Sequence, residues 1–445
     1  MMEDKKDKTS SWILRQAAWA SLWALILFMP ARSFAMTRPA DLVTEPGKEE
    51  QEKVKAKFGE GFRVLETDHF RVISDTSVRY HTVAAGLLEQ FHQLARPRFF
   101  KQDMKMVDCH LINGGRDYEN LMRKKGFSHH GSANGIYDSL TRSLYARRYF
   151  PDGRQSGVGT LFHEVVHAMI DADFGKNQPP LWFHEGFASL FEVGRVLRGQ
   201  WVYGNPNPWR ETPFRAAFEK GRIPGLKTFL ETPNSDFDTD GEQRNLLYNT
   251  GRSLFLYLLR SHGETRLAEF VRRFRDGEPP HSALSAATGL GLPEIEKRWH
   301  SSIRRLNFGG DYLNRGKGPD APRILEEGTR KHPGYGNLRL SLAIEYLNRG
   351  NYPKAILHAL GALEDSHLIF RQQAHCVAAA ALMTTDPNAS FRHLLKSVSF
   401  QPWNDEILGR DYELMAFMLE KIGRNSKAAR IRSDLEKMRE LDRRR

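Results

Sequence analysis

The chain has 445 residues, 40% hydrophobic, 11% aromatic and 27% charged, a composition that excludes a disordered chain, a collagen-like fibre and a polytopic membrane protein. Lys and Arg number 66 against 54 Asp and Glu, a net charge of +12; the excess is spread along the length, so it reads as a basic solvated surface and no nucleic-acid partner is expected. Only two cysteines occur, Cys109 and Cys376, which excludes a disulfide scaffold.

Residues 1–35 read as a signal peptide. Lys5, Lys6, Lys8 and Arg15 precede a thirteen-residue apolar run, Ala17 to Met29, and Ser33-Phe34-Ala35 offers small residues for cleavage. The run falls short of the ~20 residues that span a bilayer. Cleavage after Ala35 would leave 410 residues at +10, with no membrane span in the mature chain. The expected location is therefore exported, periplasmic or secreted, with an uncleaved N-terminal anchor as the rival. Residues 36–57 are polar and read as a linker.

Residues 58–155 alternate between periods and predict an α/β subdomain. Phe62-Arg-Val-Leu, Phe70-Arg-Val-Ile and Met106–Ile112 read as strands, and Val83 to Phe100 and Asp117–Lys125 as helices. Asp138-Ser139 sits between two strand-like runs and predicts a hairpin. Residues 156–306 are helical in pattern, broken at Pro179-Pro180, Gly204-Asn205-Pro206 and Pro279-Pro280. Residues 315–445 are helical and repetitive. Ala343-Ile-Glu-Tyr-Leu-Asn-Arg-Gly350-Asn-Tyr352-Pro-Lys-Ala355 carries tetratricopeptide-like spacing, and Leu419 to Ala428 repeats its Gly-x-x-x-x-Ala element. Such an array implies a protein partner on its concave surface.

Chemistry concentrates in Thr160-Leu-Phe-His163-Glu164-Val-Val-His167. Histidines at i and i+4 project from one helix face, so both imidazoles can reach one metal ion. Neutral imidazole suits Zn2+, and Glu164 lies beside the open position, where a water must lose a proton. Pro180-Leu-Trp182-Phe-His-Glu185-Gly186-Phe-Ala188 supplies a carboxylate 18 positions beyond His167. Two His and one Glu, with an open fourth position, form a catalytic zinc set.

The stretch Leu181 to Glu192 resembles the Leu-Trp-x-x-Glu-Gly-Phe-Ala-Ser block of the gluzincin metallopeptidases, above all the M1 aminopeptidase family and related peptidase MA-like domains. The resemblance covers residues 58–306 and implies His163, His167 and Glu185 as zinc ligands, although the family interval before the third ligand is about one residue longer. Tyr248-Asn249-Thr250-Gly251 resembles the family's Tyr-x-Lys-Gly segment, which implies Tyr248 as oxyanion donor at the start of a helix; Tyr257 is the competing tyrosine. The implied fold class is α+β: a gluzincin-type catalytic domain, with a small mixed-sheet subdomain and a helical one, followed by the tetratricopeptide-like array.

Other candidates are expected to be structural: His184 beside the third ligand, His110 in a strand, His129-His130 in a loop, Cys109 as a buried strand residue and Trp182 in packing. The expected activity is zinc-dependent hydrolysis of peptide bonds, with a peptide or protein as substrate; the alternative is a vestigial scaffold acting through its repeats. Aminopeptidases of the family hold the substrate amine with a Gly-x-Met-Glu-Asn strand. The corresponding stretch here, Ala133 to Arg147, has none, and its one acid is Asp138, which favours endopeptidase action.

Overall fold

The computed structural model describes residues 39–127, 134–148, 157–197, 200–205, 207–237, 241–306, 309–365, 368, 370–399 and 405–443. The expected signal peptide and His129-His130 lie outside them. Among the described residues no helix is long and apolar enough to cross a membrane.

The architecture is mixed α and β, dominated by helices, with one five-stranded sheet. Its strands are β1 (Arg63–Glu66), β2 (Phe70–Ser74), β3 (Val107–Ile112), β4 (Gly135–Asp138) and β5 (Ser143–Arg147), in the order β1-β2-β3-β5-β4. The central pairs β2/β3 and β3/β5 are parallel, whereas the edge strands β1 and β4 pair antiparallel with β2 and β5. Both faces are covered, as inner strands of such a sheet require. Val72, Leu111 and Leu144 join the main core; the next residue in each strand turns the other way, Ile112 and Tyr145 toward Tyr118 and Met122, and Ile73 toward Val54.

The linker expected over 36–57 is corrected. Residues Lys48–Phe58 form helix α1, which packs against β1, Val54 joining Val64 of β1 and Ile73 of β2 in one small core. Lys, Glu, Gln and Ala are strong helix formers, and Lys53 pairs with Glu49 one turn back at 2.8 Å. With Val54 as its only buried residue, the segment shows almost no apolar period.

Helix α2 (Val78–Phe99) crosses over between β2 and β3. Ser77 caps it, its hydroxyl accepting from the Tyr80 amide at 3.3 Å. Helix α3 (Gly115–Lys124) follows β3, and α4 (Gly157–Phe174) follows β5. Leu161, Phe162, Val165, Val166 and Ile170 of α4 are wholly buried, so this helix runs through the main core, packed on β4, β5 and α2. After Pro180 comes α5 (Leu181–Ala188), then α6 (Pro208–Glu219), α7 (Leu226–Leu230), α8 (Gly241–His262), α9 (Glu264–Arg275), α10 (Pro280–Thr288) and α11 (Leu292–Arg305). Trp182 is fully buried, with Phe183, Phe229, Phe255 and Phe274 around it.

The joint between α5 and α8 is made of bare backbone. A Cβ on Gly186 would lie 2.7 Å from the Gly251 carbonyl carbon, and one on Gly251 would lie 2.6 Å from the Trp182 carbonyl oxygen. Only glycine permits this approach.

Beyond 306 the elements among the described residues are helices: α12 (Gly310–Arg315), α13 (Ala321–Lys331), α14 (Gly336–Asn348), α15 (Tyr352–Leu363), α16 (Arg371–Leu382), α17 (Pro387–Val398), α18 (Asp405–Lys421) and α19 (Asn425–Arg443). From α14 onward each helix packs on the next, over small cores such as Leu340, Ala359 and Val377.

Candidate metal centre

Helix α4 sets His163 and His167 one turn apart, with their Nε2 atoms 3.0 Å from each other. On α5, Glu185 brings Oε2 to 3.3 Å from His163 Nε2 and Oε1 to 3.6 Å from His167 Nε2. Donors on a tetrahedral ion with bonds of ~2.0–2.1 Å stand about 3.3 Å apart. Two imidazole nitrogens and a carboxylate, with one ligand atom from each within 4.8 Å of the others, can hold one zinc-sized ion.

The electrostatics agree with that fit. Glu164, Glu185 and Glu192 are gathered here with one guanidinium, Arg210. Burial opposes the charge of Glu185, yet His163 and His167 hold its carboxyl far below the usual range. Burial likewise opposes protonation of His163, but Glu185 and Glu192 drive its imidazole well up. Such a pocket demands positive charge. His167, where burial dominates, is pushed down and keeps its lone pair.

Glu192 was not foreseen as a site residue. Its Oε1 lies 3.0 Å from His163 Nδ1, the ring nitrogen facing away from Glu185. Arg210 grips both oxygens of Glu192, and Asn207 donates from Nδ2 to Oε2 at 2.9 Å. A carboxylate behind a ligating histidine fixes its tautomer and ring orientation. Glu192 follows Glu185 by seven positions, about two helical turns, and that interval was the only signal in the sequence. Nothing in the sequence pointed to Arg210 or Asn207.

Glu164 is buried beside His163, and burial, reinforced by Glu185 and Glu192, raises its carboxyl to about 7. The Tyr137 amide of edge strand β4 donates to it. Gly135 lets that strand come close: a Cβ there would lie 2.3 Å from Thr160 Cγ2 and 2.9 Å from Glu164 Oε1. Farther along α4, Tyr137 donates its hydroxyl to Asp171 at 3.0 Å. Strand β4 is thus laid along the helix that carries the histidines.

Tyr248 stands near the site, though in the second turn of α8 and not at the helix start, which is Gly241. Its ring stacks on Phe237 at 5.5 Å. Burial pushes its phenol up, followed by the charge of Glu185. Tyr257 is nine positions on, half a revolution around the helix; it is buried and hydrogen-bonded to His262 at 3.1 Å. Thr250 is fully buried and donates to the Leu246 carbonyl at 2.7 Å, leaving no place for a lysine.

His184 turns to Gln178, 3.1 Å from its Oε1. His110 stacks on Tyr145 within the sheet. Cys109 is fully buried, and burial pushes its thiol up, away from nucleophilic use. Asp138 spends its carboxylate on its own turn, accepting from the Leu140 amide at 3.1 Å and the Thr141 hydroxyl at 2.5 Å.

No protein-family model and no curated protein matches the chain. Among solved structures, native yeast LTA4 hydrolase aligns at a TM-score of 0.32 and 12% identity, covering 84% of this chain and 66% of that one. The same hydrolase in complex with bestatin aligns at 0.30 and 11%, covering 83% and 63%. The chain thus spans slightly less than two thirds of the length of these structures, and a likeness at this level assigns no activity.

Proposed function

We propose that the protein is a zinc-dependent peptidase, with His163, His167 and Glu185 as the ligands, Glu164 as general base and Tyr248 as oxyanion donor. The observation that supports it is the convergence of His163, His167 and Glu185, one ligand atom from each lying within 4.8 Å of the others, beside a buried glutamate that touches an edge strand. Zinc, when bound, lowers the pKa of a water and polarises a carbonyl. Glu164 accepts the water's proton on its carboxylate and returns it to the leaving amine. Tyr248 donates its hydroxyl to the developing oxyanion, a contact worth ~2.7–4 kcal/mol if it behaves as other such donors do. Glu192 holds His163 so that Nε2 faces the ion.

The substrate is read as an extended peptide lying along β4, whose outer edge has no partner strand among the described residues. Asp138, the only acid of the β4–β5 pair, is committed to its turn, so no carboxylate on these strands is free to hold a terminal amine. The proposal is therefore an endopeptidase, since a buried ammonium without a counter-charge is costly.

The test is a protease screen against denatured protein, run on the native chain and Glu164→Gln and paired with zinc analysis. Glu164→Gln should keep zinc and lose ~10²–10⁴-fold in kcat. Wild-type turnover in that variant would sink the mechanism, and a chain that binds no zinc would leave the scaffold alternative. Acetylating a peptide's N-terminus should leave cleavage intact; if acetylation abolishes it, the enzyme is an aminopeptidase.

A further inference from the structure

A second histidine cluster lies on the other side of the fold's chemistry. His69 belongs to the turn between β1 and β2, His92 to α2, and Asp103 to the loop between α2 and β3. His92 Nε2 is 3.0 Å and His69 Nε2 is 3.3 Å from the same oxygen, Oδ1 of Asp103. The two rings face each other with centroids 3.9 Å apart. We propose that His69, His92 and Asp103 form a second metal site, for one divalent ion of the zinc class, which fastens the β1–β2 turn to α2 and to the loop that follows it.

Four observations carry this beyond a chance meeting of polar groups. The two imidazole-to-carboxylate separations, 3.0 and 3.3 Å, match the ~3.3 Å expected around a tetrahedral ion. His69 is buttressed as a ligand would be: its Nδ1 lies 2.8 Å from Glu89 Oε1, while its backbone amide donates to Glu89 Oε2 at 3.1 Å. The Glu89 side chain is only 1% exposed, so this buttress is built into the core, as Glu192 is behind His163. The His92 side chain is 3% exposed, and neither of its ring nitrogens makes a hydrogen bond. Leaving a buried polar group unmatched costs ~1–3 kcal/mol; coordination removes that cost.

The competing account is a plain hydrogen bond to Asp103, but although Nε2 lies 3.0 Å from Oδ1 the two groups are not aligned to make one. Asp103 is half-exposed, which leaves a water-accessible fourth position. Its loop is already pinned, since the Lys101 and Gln102 amides both donate to Asp173 Oδ1 at 2.7 Å. Two imidazoles and one carboxylate suit Zn2+ or Co2+, whereas Ca2+ and Mg2+ prefer all-oxygen sets.

The experiment counts ions on the full-length chain, with Co2+ followed by its visible absorption and Zn2+ by equilibrium dialysis. In a His163→Ala/His167→Ala background, one equivalent should remain, so the outcome does not depend on the peptidase reading. Adding Asp103→Ala, a half-exposed loop position, should weaken that equivalent at least tenfold. Glu89→Gln should also weaken it, by about tenfold. In the otherwise native chain, Asp103→Ala alone should lower the count from two to one. The proposal is overturned if the background variant, folded by circular dichroism, binds no Co2+. It is equally overturned if the bound equivalent keeps its affinity and spectrum when Asp103 is replaced.

Discussion

The two histidine clusters share a plan and differ in their surroundings. Each sets two imidazoles and a carboxylate around one point, and each backs a histidine with a glutamate, the largely buried Glu192 in one and the fully buried Glu89 in the other. Around His163 and His167, however, stand a third carboxylate, Glu164, an edge strand and a tyrosine. Around His69 and His92 there is a turn, a helix and a pinned loop, and, among the described residues, no further carboxylate set as Glu164 is beside His163. A ligand set can hold an ion; a base and a place to lay a substrate must be added before it can hydrolyse anything. On the two proposals above, the first cluster would serve chemistry and the second fastening.

That contrast can be broken experimentally, most severely through Glu185. Glu185→Ala should release the ion between α4 and α5, leave no turnover above background and lower stability, because the ion links two helices. Full zinc occupancy in the variant, measured by mass spectrometry, would show that another group is the third ligand. Glu192→Gln should be milder, a loss of ~10–100-fold in zinc affinity or kcat/KM; an unchanged zinc titration would mean that Arg210 and Asn207 hold His163 without it. The smallest effect sharpens the comparison by a buried acid that has no such cluster around it. Asp411 is fully buried, and burial raises its carboxyl to about 6. A raised folded pKa means that ionisation costs stability above pH ~6, a cost that fades as the pH falls toward ~4. Asp411→Asn should therefore gain on the order of 1–3 kcal/mol over the native chain at pH 8 and little at pH 4. An equal difference at both pH values in denaturant unfolding would rule this out.

The same contrast explains what could be read from the amino acids. His163 and His167 share one helix face, so their spacing is a local fact, and Glu185 sits in a compact block after Pro180. The strands were legible because Val72, Leu111 and Leu144 alternate with residues turned to the other face. The His69, His92 and Asp103 cluster was not legible: its members come from a turn, a helix and a loop, and only the crossover connection brings them together. Arg210 was hidden for the same reason, being placed by packing and not by period. Helix α1 escaped notice because one buried valine gives no pattern, and Tyr248 was set at a helix start by the resemblance alone, the first turn of α8, Gly241 to Asn245, being polar.

The meeting of α5 and α8 at Gly186 and Gly251 has a further bearing on tolerance. Most active-site distances are cushioned by side chains that can rotate to absorb a neighbour's change. Here the spacing between the helix of Glu185 and the helix of Tyr248 is the thickness of two bare backbones, with carbonyl Trp182 as the stop. There is no rotamer to yield, so a single methyl at either glycine must be absorbed by moving a whole helix. Misplacement of a reacting group by 1 Å can cost ~10²-fold in rate. Gly251→Ala, a residue that would touch neither metal nor substrate, behaves on this view as a gauge block of the wrong thickness, and its rate would report the machining tolerance of the centre.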